Sequence, residues 1–213
     1  MSSVPRDGKT TTKRPDETRR SLLDAVVESL IELGFARTTT LEVQRRAQVS
    51  RGALLHHFPS KAELLVAAVR HLADLRGREI HDMAAGLPRG GARIGKVIDI
   101  LWESFSGPLF HISLELRTAA RTDAELREAL VEVERELRQR ILDQSRRLFG
   151  EEVASKPGFA SAFDLTLHFM IGAAMTSILH GEAAPIQALL SQWKSCFRSL
   201  MDGAPAKRRV SKT

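Results

Sequence analysis

The chain has 213 residues, of which 43% are hydrophobic, 27% charged and 5% aromatic, with no tyrosine. That length supports a sizeable core, and the composition suits helices rather than a β-sandwich. One cysteine, Cys196, excludes an internal disulfide and a cysteine-pair zinc site. The net charge is +6, and it is concentrated at the ends. Residues 1–61 carry eleven basic and seven acidic side chains, and the tail "AKRRVSKT" adds four basic ones. Residues 62–205 are slightly acidic, with seventeen basic against nineteen acidic. A basic N-terminal segment on a near-neutral body suits a polyanion partner; a solvated basic arm without a partner is the other reading.

In chain order, residues 1–15 read as a mobile basic arm without apolar periodicity or a secretory signal. Pro15, Asp16 and Glu17 then open a helix. It carries Leu22, Val26, Leu30 and Leu33 at helical spacing and ends at Gly34 as C′ residue, with Phe35 packing back. Thr39 and Glu42 predict a capping box and a second helix from about Thr40 through Leu41, Val43 and Ala47. Ser50 is the natural N-cap of a third. Val49 and Leu54 form a staple across its start, Phe58 anchors its end and Pro59 stops it. Ser60 and Glu63 cap a fourth helix over 61–85.

Further helices are predicted over 92–106, 108–119, 122–149, 159–181 and 185–202, the third of these capped by Thr122 and Glu125. Along 122–149, Leu126, Leu130, Val133, Leu137, Ile141 and Leu148 form one stripe. Glu134→Arg138 and Glu136→Arg140 read as i,i+4 pairs on a solvated face. The most apolar run, "FMIGAAMTSIL", is shorter than the roughly 18 residues a membrane span requires, so no membrane association and a cytoplasmic location are expected. No alternating strand pattern and no repeat occurs. The expected fold is all-α: a helix-turn-helix domain over 16–62, a helical body over 63–205 and a basic tail over 206–213.

The piece "SRGALLHH" places Arg51, Gly52, Ala53, His56 and His57 where a solvated helix would carry Glu and Lys. Gly inside a helix costs about 1 kcal/mol relative to Ala, which close approach of another backbone would explain. Arg51 suits a phosphate or guanine O6 and N7, and the helix N-termini at Thr40 and Ser50 offer N–H groups to phosphates. A short helix, a tight turn and a helix with a small, basic start is the helix-turn-helix arrangement. The alternative is a helical hairpin with a solvated Arg51. Zinc on His56 and His57 is disfavoured, because adjacent helical residues diverge by about 100° and no third ligand is near.

Residues 16–64 resemble the DNA-binding domain of the TetR family of transcriptional regulators. The matching segments are "TRRSLLDAVVESLIELGF", "TTTLEV", "AQVSRGALLHHF" and "PSKAELL". Three positions depart from the family pattern. Gln48 replaces the corner Gly and is expected in a left-handed conformation; Gln44 replaces a small residue. Leu55 replaces a Tyr, and Leu there fits a thymine methyl. The resemblance implies backbone contacts from Thr40, Ser50, Gly52, His57 and Lys61, and groove-facing positions for Arg51, Ala53, Leu55 and His56.

It also implies a homodimer on a double-stranded, near-palindromic operator, more often a repressor, whose last two helices pair with their copies. Gly172, Met175, Ile186, Leu189, Leu190, Trp193, Phe197 and Leu200 are the candidate interface; packing within the chain is the other reading. The family further implies an effector whose binding moves the fourth helix. Trp102, Phe105, Phe110, His111, Leu114, Phe163, Leu167, His168 and Ile171 are the candidate effector contacts, each also readable as core. That set predicts a small hydrophobic effector with one or two hydrogen-bonding groups, not a phosphate or sugar, since no arginine or lysine cluster belongs to it. No nucleophile–base pair, glycine-rich phosphate loop or metal spacing occurs, so no enzyme, cofactor or metal is expected. Gln44, Gln48 and Leu55 keep open a dimerisation and ligand-binding module with weak or lost DNA binding.

Overall fold

The computed structural model describes residues 15–84, 86–180 and 184–202. Through them run, in order, α1 (Pro15–Arg37), α2 (Thr40–Ala47), α3 (Arg51–His57), α4 (Lys61–Ala84), α5 (Gly91–Phe105), α6 (Pro108–Ala120), α7 (Ala124–Phe149), α8 (Glu151–Ala154), α9 (Phe159–His180) and α10 (Ala184–Asp202). No strand occurs among the described residues, and the chain is all-α, a helix-turn-helix head followed by a helical body. Residues 1–14 of the expected arm, and the expected tail, lie outside the described residues.

The corners of the head are set locally. Leu22, Leu23, Val26, Val27 and Leu30 bury one side of α1. At Gly34 the backbone turns to φ 74°, which glycine adopts without a Cβ clash, and the helix kinks before running on to Arg37. The buried Thr38 hydroxyl donates to the Gly34 carbonyl at 2.8 Å and meets Ser29 Oγ at 3.0 Å. Thr39 Oγ1 then accepts from the Glu42 N–H at 3.1 Å. The return half of that capping box is replaced: the Glu42 carboxylate accepts from Arg45 and, at 2.6 Å, from Arg46. Gln48 ends α2 at φ 56°, ψ 45°, the only non-glycine with positive φ among the described residues. Ser50 Oγ accepts from Ala53 N–H to start α3, and Ser60 Oγ from Glu63 N–H to start α4, each at 3.2 Å.

The body departs from the sequence reading in three places. Asp123, not Thr122, caps α7, its Oδ1 accepting from Leu126 N–H at 3.0 Å; aspartate caps as well as threonine, so the start moves by one residue. The short α8 after Gly150 has no counterpart in the reading. The pairs expected along α7 do not form. Glu134 instead pairs with Arg117 of α6, and Glu136 takes a two-pronged bond from Arg70 of α4 at 2.8 and 3.0 Å. Arg138 reaches Asp164 of α9 at 2.8 Å, and Arg140 pairs with Asp74 of α4. α7 packs against α4 and α6, so its charges meet partners on neighbouring helices in place of those one turn away.

Two apolar cores result. The first gathers α1–α3 with the N-terminal half of α4, Ile112 and Leu116 of α6, and Leu126, Leu130 and Val133 of α7. The second is built from α5, α9 and α10, with Ile80 of α4, Phe110 of α6 and Leu148 and Phe149 of α7. α4, α6 and α7 therefore cross from one core to the other. The apolar stretch of α9 is longer than its central run suggested. Phe159–Leu179 is by length and composition apolar enough to cross a membrane, and 33% of that window is buried inside the protein. Phe159, Phe163, Met170 and Ala174 supply the inner face, while Leu165, Met175, Ile178 and Leu179 are exposed.

Candidate functional site

On α3 only Leu54 is buried. Arg51, Gly52, Leu55 and His56 are exposed, and Ala53 and His57 are half-buried. Nothing in the fold requires glycine at 52. It has ordinary helical φ, and an added Cβ would meet only Ser50 Oγ, at 3.9 Å. Thr40 is half-buried and Ser50 exposed at the two helix starts, and Lys61 is exposed with its Nζ 4.9 Å from the centre of the Phe35 ring. These residues lie along α3 and at the starts of α2 and α4, so their placement follows from three caps and one left-handed corner.

The seating of α2 depends on charges that the sequence reading passed over. Arg46, with 14% of its side chain exposed, bonds Glu42 of its own helix and Glu32 of α1, the latter at 2.7 Å. Hydrogen bonds from Arg45 and then Arg46 pull the Glu42 carboxyl down to about 2. The i,i+4 spacing of Glu42 and Arg46 was a visible signal; the Glu32 partner was not.

A cavity of about 1190 Å³ lies among α4, α5, α6, α7 and α9. Of the candidate effector contacts, Phe105, Phe110, Leu167, His168 and Ile171 line it. Trp102, His111, Leu114 and Phe163 do not. Trp102 and Phe163 are buried in the second core, Leu114 packs against that core and His111 faces solvent. His168 is exposed, with Nδ1 2.7 Å from the Asp164 carbonyl, so neither histidine is a polar group enclosed by apolar ones. The premise that no arginines share this set also fails: Arg76, Arg78, Arg117, Arg135, Arg138, Arg140 and Arg147 line the cavity. They come from α4, α6 and α7, and of these helices the sequence reading had placed only the charged face of α7 in solvent. Carboxylates pair Arg76, Arg117, Arg135, Arg138 and Arg140, so the wall is largely neutralised. At Gly77 a Cβ would lie 2.8 Å from Gln144 Nε2; the missing side chain lets α4 and α7 close on one side of the cavity.

The stripe along α10 divides between two surfaces. Leu190 and Phe197 are buried by the chain's own second core, with the Phe197 ring stacked 5.0 Å from Phe149. Trp193 is half-buried, stacks on Phe169 and donates from Nε1 to Thr166 Oγ1 at 3.1 Å. Leu190 and Phe197 are thus taken up by the chain's own core, with Trp193 and Ile186 half-buried beside them. Leu189 and Leu200 point outward, as do Met175 and Gly172 of α9. The outward face also includes Leu165, Ile178 and Leu179, the last 84% exposed, which the sequence reading did not single out.

A short helix, a left-handed corner and an exposed second helix, carried on α1 and α4, define a helix-turn-helix protein with an all-helical second part. Residues 22–68 match the family described as bacterial regulatory proteins, tetR family. An uncharacterized HTH-type transcriptional regulator of Mycobacterium tuberculosis is 29% identical over 184 residues, 86% of this chain and 89% of that protein. The HTH-type transcriptional regulator CymR of Pseudomonas putida is 36% identical over 122 residues, 57% of this chain and 60% of that protein. Among solved structures, the transcriptional regulator FadR of Bacillus subtilis in complex with stearoyl-CoA superposes with a TM-score of 0.61 at 18% identity, over 86% of this chain and 98% of that one. The multidrug binding protein EbrR complexed with imidazole gives 0.60 at 21% identity, over 89% and 97%. At these identities the structures carry the fold alone. Over residues 22–68 the chain is thus similar to the tetR family, and the relatives that match it are named HTH-type transcriptional regulators.

Proposed function

We propose that the chain acts as a homodimeric, ligand-responsive repressor in the cytoplasm. In this reading residues 16–62 form the DNA-binding domain and 63–205 the ligand-binding and dimerisation domain. α3 enters the major groove, with Arg51, Ala53, Leu55 and His56 toward base edges and Thr40, Ser50, Gly52, His57 and Lys61 on the backbone. The observation that carries it is the open face of α3: an exposed glycine that the fold does not need, between an exposed Arg51 and an exposed Leu55. The competing module without DNA binding loses ground because the αL corner is formed despite Gln48.

Two heads on one near-palindromic operator require half-site centres about 34–36 Å apart or a multiple of that. Leu189, Leu200, Met175 and Gly172, joined by Ile178 and Leu179, are the face for the second copy. The effector is a mostly apolar molecule with hydrogen-bonding groups, seated against Phe105, Phe110 and Ile171 with guanidinium groups within reach. That FadR and EbrR are described in complex with stearoyl-CoA and with imidazole is in keeping with small-molecule binding in this fold. Such a ligand alters DNA affinity only by preferring one arrangement of the heads.

The test compares Arg51→Ala and Lys61→Ala on a duplex enriched by the wild type from a random library and on random duplex. Arg51→Ala should weaken the enriched site by roughly 1–3 kcal/mol more than the random one. Lys61→Ala should weaken both alike and flatten the salt dependence. Equal losses from Arg51→Ala on both duplexes would show that Arg51 reads no base.

A further inference from the structure

Just past the kink at Gly34, the Phe35 N–H donates to Glu115 Oε2 of α6 at 2.5 Å. The approach is close: a Cβ on Gly34 would lie 3.3 Å from that oxygen and 3.5 Å from the other. The Phe35 ring in turn lies under the Lys61 ammonium, at the start of α4. One carboxylate thus reaches the joint between α1 and α4 within one residue of a candidate phosphate contact.

The same helix walls the cavity. Leu109, Phe110, Ser113 and Arg117 line it. Ser113 and Glu115 are two residues apart, about 200° around a helix, and so lie on nearly opposite faces. Ile112 and Leu116 meanwhile hold α6 in the first core, with α1–α3. A helix of 13 residues moves as one body. A side chain or ligand that pushes on its Ser113 face must shift its Glu115 face against the Gly34–Phe35 kink. The kink absorbs little, since the Thr38 hydroxyl also holds the Gly34 carbonyl.

We propose that Glu115 is the positioning residue through which occupancy of the cavity sets the DNA affinity of the head. This rests on reading the cavity as the effector site and α3 as the DNA-facing helix. The hydrogen bond to Phe35 N–H transmits the displacement; the glycine at 34 permits the contact.

Because neither ligand nor operator is identified, the test uses a substitution that fills the cavity and a duplex enriched by the wild type from a random library. Ser113 is buried in the cavity wall, and Ser113→Leu adds volume to the α6 side of the space. DNA affinity is measured for wild type, Ser113→Leu, Glu115→Leu and the double variant, after circular dichroism has established that each folds. Phe110→Leu, which removes bulk from the same wall, serves if Ser113→Leu does not fold. The cavity substitution should shift wild-type affinity by roughly 5-fold or more. In the Glu115→Leu background the same substitution should shift it by less than about 2-fold. Glu115→Gln keeps an acceptor for the Phe35 N–H and should retain the full shift, while Glu115→Leu alone speeds hydrogen exchange at the Phe35 amide. A merely structural Glu115 would lower affinity in both backgrounds and leave the ratio unchanged. Equal shifts in both backgrounds, or none in either, overturn the proposal while leaving DNA binding intact. A wild type that enriches no duplex overturns the DNA-binding reading and this proposal with it.

Discussion

The core of the head is filled, with α6 and α7 completing it, whereas the helices behind it leave a cavity of about 1190 Å³. In the head, Leu22, Val26, Val43 and Leu54 are almost wholly buried, and one side chain caps the start of each of α2, α3 and α4. In the body, Phe105 and Ile171 are only half-buried, and arginine–carboxylate pairs bridge α4, α6, α7 and α9 around an open space. A tight head resists deformation and keeps the geometry of α3, while an underfilled body has room for more than one packing. The two depend on each other because α4, α6 and α7 are shared between their cores.

The largest expected effect tests how far the body's outer face differs from its inner one. Leu189→Glu, on the exposed side of α10, would bury an unpaired carboxylate twice in a symmetric dimer, a cost of about 3–5 kcal/mol per pairing. Sedimentation should then show monomers with near-native helicity. Trp193→Glu should instead lower the stability of the chain itself, because it removes the bond to Thr166 and the stack on Phe169. A dimeric Leu189→Glu protein would place the interface elsewhere.

Next in size is the contrast between the closed head and the open cavity. Leu54 is 1% exposed, and Leu54→Ala should cost about 2–5 kcal/mol in urea denaturation. Ile171→Ala, on the half-buried cavity wall, removes atoms that already border open space and should cost less than about 2 kcal/mol. Similar costs at both sites would mean that the cavity wall is as well packed as the head.

The same contrast decides what the sequence could reveal. The head is written in signals spanning three or four residues: Thr39 to Glu42, Ser50 to Ala53, Ser60 to Glu63 and the break at Gly34. Those fix caps and corners before any tertiary contact exists, and the αL state of Gln48 follows from its place in the turn. The cavity depends on which helices meet, and spacing within one helix does not say that. Glu136 and Arg140 fit an i,i+4 pair as well as any exposed couple, yet each binds α4. Likewise the α10 stripe is wide enough to serve two surfaces, and only the rotation of the helix assigns Phe197 to one and Leu189 to the other. Trp102 and Phe110 are both buried aromatics, and nothing local tells the core residue from the cavity wall.

A smaller effect is expected at the corner between α2 and α3. Gln48 holds a left-handed conformation, which costs a side chain with a Cβ roughly 1–2 kcal/mol. Gln48→Gly removes that strain but adds about 0.5–1 kcal/mol of unfolded-chain entropy. The net gain should be about 0.5–1 kcal/mol, read as a rise in denaturation midpoint without a change in slope. A loss of stability would mean that the Gln48 side chain makes a contribution exceeding its strain.

The smallest effect is a pH dependence confined to the head. The Glu42 carboxyl is held at about 2 by Arg45 and Arg46, against an ordinary value near 4.5. A group whose folded value is depressed stabilises the folded state above its unfolded value, and that contribution is lost as pH falls toward the folded one. The Glu42 contribution should therefore be complete above about pH 4.5 and decline down to about pH 2. Arg45 is exposed to water, so salt should weaken its share of the effect. Glu42→Gln keeps the N–H that Thr39 caps but loses both charge-assisted bonds. Its stability should lie below wild type at pH 7, and the two should converge by pH 2. Parallel curves for wild type and Glu42→Gln over that window would show that the Arg45 and Arg46 bonds to Glu42 do not persist in solution, leaving α2 seated by its cap, by Val43 and Ala47 and by the Arg46–Glu32 pair.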